Sequence, residues 1–263
     1  MRILAVETAT AWQSVAVLED DRALALHDQE ADGAHGSLLL PTIDRLLKNL
    51  KVSLGELDAL CCSAGPGSFT GIRVGLATCL GLRAASGLPL VLVPTLEAMA
   101  RTVHGESRPI CPVLVSRRGE VYWAIFRCVG ENQWERIVSE QVGSPNALGQ
   151  QVPDQTLMVG SGWSLMEAEI RAALPESVTV SVGPDHACRP SAIHVGRLGM
   201  ERLRRGEVAG EAVAPMYVQR AEAEIQYERS GGLSPVARRR SRVEQKVAAR
   251  LARGRQPRSS RNR

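Results

Sequence analysis

The stretch Gly65 to Gly75, GPGSFTGIRVG, decides the fold of this chain. It follows a short apolar strand that ends at Ala64, and it opens a predicted helix over residues 69–85. A turn rich in Gly and Pro between a buried strand and a helix indicates that the backbone approaches another group closely there. The stretch lacks the Gly-Lys-Ser/Thr ending with which a Walker A loop holds a nucleotide, so it does not belong to that class of phosphate loop.

Charge is divided unevenly between a long body and a short tail. Residues 1–228 carry 20 Lys or Arg and 27 Asp or Glu, a net charge of −7. Residues 229–263 carry 12 Lys or Arg and one Glu, a net charge of +11. The length of 263 residues predicts one large domain or two lobes. The basic tail favours a polyanion as a partner.

The cysteines favour a cytoplasmic protein. They lie at positions 61, 62, 79, 111, 128 and 188, without any CxxC spacing and mostly in apolar runs. We therefore interpret them as reduced core thiols, not as disulfides or zinc ligands. The first apolar run, Ile3 to Val6, ends at Glu7 and does not follow the plan of a signal peptide. No apolar stretch approaches the roughly 20 residues that span a bilayer, so the sequence predicts no contact with a membrane.

Hydrophobic periodicity divides the body into two halves with the same order of elements. The first half predicts strands over 2–7, 12–18 and 22–27, a helix over 35–50, a strand around Cys61, a helix over 69–85, a strand over 90–93 and a helix over 95–104. The second half predicts strands over 110–115, 121–128, 134–141 and 156–159, a helix over 165–174, a strand over 178–182 and a helix over 193–205. This order predicts an α/β fold from a duplicated βββαβα unit, with lobes over 1–108 and 109–228 and a disordered basic tail over 229–263.

Three segments together resemble the TsaB family, the dimerisation subunit of the bacterial machinery that makes threonylcarbamoyladenosine on tRNA. They are MRILAVETAT at the N-terminus, the GPGSFTGIRVG stretch, and GEVYWAIF at 119–126; APMYV at 214–218 resembles a fourth. The resemblance covers residues 1–228 in order and leaves the basic tail outside. It implies the two-lobed fold of the actin-like ATPases, the ASKHA fold.

The resemblance also implies partners and a reaction. Members of the family work with a paralogous catalytic subunit, TsaD, and a small ATPase, TsaE, and a homodimer is expected in isolation. The complex uses ATP and threonylcarbamoyl-adenylate, and transfers threonylcarbamoyl to the adenosine beside the anticodon in tRNAs reading ANN codons. We therefore expect a non-catalytic scaffolding subunit with no cofactor or metal of its own. The alternative is an active nucleotide-dependent kinase or hydrolase of the actin-like group.

The two hairpins that hold a cation and phosphates in an actin-like enzyme are altered here. In the first, Glu7 stands where the family more often has Asp, and Trp12 with no Gly leaves little space for phosphate. Glu7 and Thr8 are candidates for binding a cofactor. The competing interpretation makes Glu7 a strand-end residue capped by Thr hydroxyls. In the second, Val115 replaces the Asp of the family's Asp-Ala-Arg run.

Other candidate residues give weaker signals. Gly160 and Gly162 flank a turn where related folds hold adenosine, and we treat them as candidates for cofactor binding. The five histidines include no i, i+4 pair of the kind that binds a metal on a helix, and His35 is expected to cap the first helix or to face solvent. Gly-x-Ser-x-Gly is absent, so Ser68 or Thr70 is interpreted as a helix N-cap and not as a nucleophile.

The first two predicted helices have apolar or small faces wider than one core needs. In the first, Leu38 and Leu40 widen a stripe of apolar residues at 39, 43, 46, 47 and 50. In the second, Gly71 and Gly75 and a further row at Ala77, Gly81 and Ala85 permit close approach of a helix. By resemblance, this pair packs against the matching pair of the catalytic partner or of a second copy. The predicted interface comprises Leu39, Leu40, Ile43, Leu47, Ile72, Gly75 and Leu76.

The tail supports a narrower hypothesis about RNA. Arg238, Arg239, Arg240 and Arg242 begin a basic run after the Ser-Gly-Gly-Leu-Ser-Pro break at 230–235. One interpretation is an arm that contacts tRNA through its phosphates. The other is a solvated tail with no specific partner. No aromatic residue follows Tyr227, so stacking on rings cannot supply specificity for bases.

Overall fold

A computed structural model describes residues 1–103, 105–116, 119–130, 133–216 and 218 of the chain. Two five-stranded sheets with the same topology form its framework. The mixed α/β architecture and the duplication predicted from the sequence are confirmed. The predicted tail, with Arg238, Arg239, Arg240 and Arg242, lies outside the described residues.

The first sheet has the strand order β3-β2-β1-β4-β5. Its strands are β1 (Arg2–Glu7), β2 (Trp12–Glu19), β3 (Arg22–Glu30), β4 (Ala59–Gly65) and β5 (Leu90–Pro94). The first three strands are antiparallel neighbours, whereas β4 runs parallel to both β1 and β5. Parallel neighbours need a crossover, and helices α1 (His35–Leu50) and α2 (Phe69–Ser86) supply the two crossovers here.

Both faces of the first sheet are buried because its side chains alternate between them. Leu4 of β1 packs with Ile43 of α1 on one face. Ile3, the preceding residue, packs with Val195 on the opposite face. Val195 belongs to the last helix, α6 (Ala192–Arg204), so the C-terminal end of the body covers the N-terminal sheet.

The second sheet repeats this plan with the order β10-β9-β6-β7-β8. Its strands are β6 (Ile110–Val115), β7 (Val121–Gly130), β8 (Gln133–Gly143), β9 (Thr156–Val159) and β10 (Val180–Val182). Helices α4 (Pro145–Gly149) and α5 (Ser161–Ala173) follow β8 and β9. Trp163 and Ile170 of α5 pack with Val113 of β6 and Trp123 of β7 in one of its two cores.

Helix α3 (Thr95–Ala100) joins the two halves of the body. Ala98 packs in the core of the first sheet, whereas Leu96 and Met99 pack in a core of the second. The predicted boundary at 108/109 falls in the chain between α3 and β6. Because α6 comes from the second half and packs on the first sheet, the sequence boundary does not separate two independent packing units.

Helices α3, α4 and α5 differ from the sequence prediction, and strand β3 ends at Glu30, three residues past its predicted end. Helix α3 ends at Ala100, short of the predicted residue 104, and α5 begins at Ser161, four residues before the predicted start. Helix α4 was not predicted, although Ser144 caps it by accepting from the Ala147 amide and Pro145 occupies its first turn. No helix in the described ranges is long and apolar enough to cross a bilayer.

Candidate functional site

The GPGSFTG turn folds against the first hairpin of the chain. The Ser68 amide donates to the Ala9 carbonyl at 2.7 Å, and the Thr8 hydroxyl donates to the Gly71 carbonyl at 2.9 Å. The Ser68 hydroxyl accepts from the Gly71 amide at 3.2 Å and caps α2, which confirms the predicted role. The chain's own turn therefore occupies the end of β1, where a phosphate would lie in an enzyme of this fold.

Thr8 packs so closely against α2 that two glycines are required there. A Cβ atom at Gly71 would lie less than 3 Å from the Thr8 carbonyl oxygen. A Cβ atom at Gly75 would lie less than 3 Å from the Thr8 hydroxyl oxygen. Real Cβ atoms do not approach other atoms so closely. Gly71 and Gly75 thus bring α2 against the hairpin within this chain, and α2 covers the side of Thr8 that faces it.

Glu7 is a buried carboxyl group at the end of β1. Its Oε1 atom accepts a hydrogen bond from the Ala9 amide, and its Oε2 atom is buried without a partner. Burial, which penalises the charged form, raises the pKa of Glu7 to about 7. The expected capping by Thr hydroxyls is wrong, because the Thr8 hydroxyl bonds Gly71 and the Thr10 hydroxyl bonds the Trp12 amide.

Three polar side chains lie together at the carboxyl ends of parallel strands in the first sheet. Glu7 ends β1, Ser63 lies in β4 opposite Val93 of β5, and Thr95 follows β5 after a shift in register. Glu7 Oε2, Ser63 Oγ and Thr95 Oγ1 are all buried without a hydrogen-bond partner. This edge is where α/β folds bind ligands. The three side chains include a single carboxyl group, that of Glu7.

The second hairpin also lacks an acidic ligand at the position that the resemblance implies. Val115 ends β6 with 41% of its surface exposed, and the Ser116 amide donates to the Glu120 carbonyl at 3.1 Å to close the hairpin. Across the described ranges, no group of three or more His, Cys, Asp or Glu side chains is placed to hold a metal ion.

The candidate glycines of the second half serve close packing. Gly160 has a φ of 100°, and a Cβ atom there would lie less than 3 Å from the Val113 carbonyl oxygen. A Cβ atom at Gly162 would lie less than 3 Å from the Leu114 backbone. The start of α5 therefore lies directly on β6. Glu7 bonds within the first hairpin and Thr8 bonds α2, whereas Gly160 and Gly162 pack on β6.

His35 is part of the same packed hairpin. It is buried at the start of α1, and its Nε2 atom lies 2.9 Å from the Thr10 carbonyl oxygen. The expectation of a helix-capping or solvent-exposed histidine is therefore wrong. The sequence signal could not separate these cases, because a polar residue at a helix start is common to all of them.

Of the seven predicted interface residues, Leu40 is the exposed one, with 53% of its surface accessible. The other six are buried within the chain: Leu39, Ile43, Leu47, Ile72, Gly75 and Leu76. Leu39, Ile43, Leu47 and Leu76 belong to the core between the helix pair and the sheet. A partner can therefore reach Leu40 directly, whereas the other six residues are covered by this chain and are not accessible to a partner.

A groove beside Leu40 extends this accessible surface. It has a volume of about 290 Å³ and lies between α1, the turn at 52–54 and α2. Its apolar lining includes Leu54 and Leu82, which the sequence analysis did not name, although both are apolar residues near the helix ends. Helix α2 also exposes a row of small residues, Thr70, Ala77, Gly81 and Ala84. A Cβ atom at Gly81 would meet no atom within 4 Å.

Comparisons with known proteins agree with this architecture. A family model described as "TsaD: tRNA N6-adenosine threonylcarbamoyltransferase" matches residues 26–227. The "tRNA threonylcarbamoyladenosine biosynthesis protein TsaB" of Haemophilus influenzae is 31% identical over 231 residues, which are 83% of this chain and 94% of that protein. The chain belongs to the TsaB family.

Coverage distinguishes TsaB from the related transferase. A tRNA N6-adenosine threonylcarbamoyltransferase of Rhizobium etli is 32% identical over 167 residues, but these are only 46% of that protein. The solved structure "YeaZ from Pseudomonas aeruginosa" has a TM-score of 0.70 and 28% identity, and the match covers 82% of this chain and 99% of that one. The match therefore spans 94% of the length of the TsaB relative but only 46% of the length of the transferase.

Proposed function

We propose that this chain is a non-catalytic scaffolding subunit in the biosynthesis of tRNA threonylcarbamoyladenosine. Its partner is the catalytic paralogue TsaD, which transfers threonylcarbamoyl to the adenosine next to the anticodon in tRNAs reading ANN codons. The small ATPase TsaE completes the complex in the cytoplasm. ATP and threonylcarbamoyl-adenylate are used by the complex, and this subunit binds no cofactor of its own.

The packing at the end of β1 supports a role without catalysis. An enzyme of this fold needs space for phosphate at the first hairpin and acidic groups that hold a hydrated cation. Here Gly71 fits against the Thr8 carbonyl, and the neighbouring Glu7 carboxyl is buried with its pKa raised to about 7. A carboxyl group that is shielded from water and half protonated near neutral pH is a poor ligand for a cation.

The activity of the purified chain tests this part of the proposal. We expect no ATP hydrolysis and no tRNA modification by the chain alone, and formation of modified tRNA when TsaD, TsaE, ATP and threonylcarbamoyl-adenylate are added. Robust ATP turnover by the pure chain that Glu7→Ala abolishes would contradict the scaffold and favour an active kinase or hydrolase.

The surface of the first two helices supports the role of a partner-binding subunit. Leu40 and the groove beside it offer apolar area, and the exposed small residues of α2 allow the backbone of another helix to come close. A homologous helix pair in TsaD fits such a face as a four-helix bundle. Without TsaD, a second copy of this chain occupies the same face.

Gly81→Leu tests the interface without disturbing the fold. A side chain at Gly81 meets no atom of this chain, and Leu favours a helix over Gly by nearly 1 kcal/mol, so the variant should be as stable as the wild type. Its bulk should block close approach of a partner helix. Ala172→Leu, at an exposed position of α5, is the matched control. If Gly81→Leu still co-elutes with TsaD as the control does, the interface lies elsewhere.

Leu40→Glu is an independent test of the same face. Its side chain is exposed in the chain alone but would be desolvated by a partner, and burying an unpaired charge costs several kcal/mol. We expect a folded monomer that no longer associates with TsaD. Unchanged co-elution of this variant on size-exclusion chromatography would contradict the assignment of the surface.

A further inference from the structure

A second, larger groove lies on the opposite side of the body from the GPGSFTG turn. It has a volume of about 870 Å³ and lies between α6 and the ends of β7 and β8. Asp21, in the turn between β2 and β3, forms one wall. The neighbouring Asp20 pairs with the Met1 amino group at 2.9 Å, which places this turn at the start of β1. The groove is therefore at the other end of the first sheet from Glu7.

Helix α6 gives the groove a concentration of positive charge. Residues 1–228 have a net charge of −7, yet four of their 20 basic residues fall within 197–205. Arg197, Glu201, Arg204 and Arg205 follow the helical spacing i, i+4, i+7 and i+8, so they share one face. Among the described residues that line the groove, four are arginines and two are acidic.

Two of these arginines are held loosely. Arg204 is 55% exposed and lies 4.0 Å from Asp20. Arg205 is 57% exposed and lies 3.7 Å from Glu201 and 3.6 Å from the exposed Glu207. Exposed ion pairs of this kind contribute about 0–1 kcal/mol, so the carboxylates can be exchanged for phosphates at little cost. Arg101, deeper in the wall, is fixed by Glu201 at 2.6 Å and serves as a positioned anchor.

Trp134, in the wall of the groove, is half-buried against a core of the second sheet, and the Arg101 guanidinium lies over its ring at 5.4 Å. Arginines bind phosphates with planar, bidentate geometry. The volume is also larger than a single inorganic phosphate needs. We propose that the groove between α6 and the β7–β8 hairpin binds the phosphate backbone of an RNA chain. That this RNA is tRNA rests on the proposed function. The groove is lined by α6 and the β7–β8 hairpin, whereas the surface proposed for TsaD is formed by α1 and α2.

The salt dependence of tRNA binding by the full chain tests this site. Loss of two phosphate contacts should reduce the slope of log affinity against log salt by about 1.4–1.8. Between 50 and 200 mM salt, the wild type should therefore lose about 7- to 12-fold more affinity than Arg204→Ala/Arg205→Ala. The control, Arg45→Ala/Arg171→Ala, removes the same charge from α1 and α5 and should bind as the wild type does. The tail is present in all three proteins and contributes equally.

Two outcomes would overturn the proposal. One is an equal salt slope for the α6 variant and the control. The other is displacement of tRNA by inorganic phosphate at constant ionic strength, which would make the groove a small-anion site. A failure of the proposed function is distinguishable: the wild type would then not support tRNA modification with TsaD, while the difference in salt slope would persist.

Discussion

Replacement of Gly71 by Ala should destabilise the fold, whereas the same change at Gly81 should stabilise it. Both glycines lie in α2, where Ala is favoured over Gly by about 1 kcal/mol. At Gly81 the added methyl group meets no atom within 4 Å, so this gain should be kept in full. At Gly71 the methyl group would lie less than 3 Å from the carbonyl oxygen of Thr8, a backbone atom at the end of the central strand.

The expected size of the effect follows from three contributions. Overpacking costs about 1–3 kcal/mol. Displacement of α2 also disturbs the hydrogen bond from the Thr8 hydroxyl to the Gly71 carbonyl, worth about 1 kcal/mol. The higher helix propensity of Ala relative to Gly offsets about 1 kcal/mol of this cost. Gly71→Ala should therefore lower the free energy of unfolding by about 1–3 kcal/mol, and the two variants should differ by about 2–4 kcal/mol.

Thermal unfolding of the full chain measures this difference. For a body of about 200 residues, each kcal/mol shifts the melting temperature by about 2–4 °C. The two variants should thus be separated by about 4–16 °C, with Gly81→Ala above the wild type and Gly71→Ala below it. Equal shifts in the same direction would refute the argument that Thr8 and the GPGSFTG turn fill the first hairpin.

Three further changes probe the buried carboxyl, the helix core and the tail. The raised pKa of Glu7 contributes stability that is fully present below about pH 4.5 and is lost as the pH rises through about 7. In urea unfolding at pH 8, the free energy of unfolding of Glu7→Gln should therefore exceed that of the wild type by about 3 kcal/mol. A difference of the same size at pH 4 would refute this. Leu76→Glu should unfold the chain rather than only release a partner, since Leu76 is buried; a cooperative circular-dichroism melt like that of Leu40→Glu would refute this. Removal of residues 229–263 should leave the melting temperature of the body unchanged and flatten the salt dependence of tRNA binding, and identical binding curves would show a passive tail.

Local signals in the sequence were sufficient for most elements. The predicted bounds of the first two helices, 35–50 and 69–85, agree with His35–Leu50 and Phe69–Ser86. The alternation of Val15 and Val17 with smaller residues predicted β2, because side chains in a strand point to opposite faces. Such patterns depend on neighbouring residues alone, so they can be interpreted without knowledge of the tertiary contacts.

The burial of particular side chains could not be predicted in the same way. Helical spacing places Leu39 in the apolar stripe of α1 and Leu40 beside it, but an apolar stripe can face either a sheet or a partner, so both were assigned to the interface. The packed structure shows that Leu39 lies in the core and Leu40 on the surface. The small rows of α2 raise the same problem. Gly75 fits against Thr8 within the chain, whereas Gly81 is open to a partner, and helical spacing is the same for both.

The sequence did not predict which of the two sheets α6 covers. Its apolar stripe shows that it packs on a sheet, but both sheets offer an apolar face. In the structure it covers Ile3, Leu18 and Val93 of the first sheet. A fragment of residues 1–108 would expose this face to water, so we expect it to aggregate or remain unfolded, whereas residues 1–218 should unfold cooperatively. A soluble, cooperatively unfolding 1–108 fragment in circular-dichroism melts would show that the first sheet does not need α6.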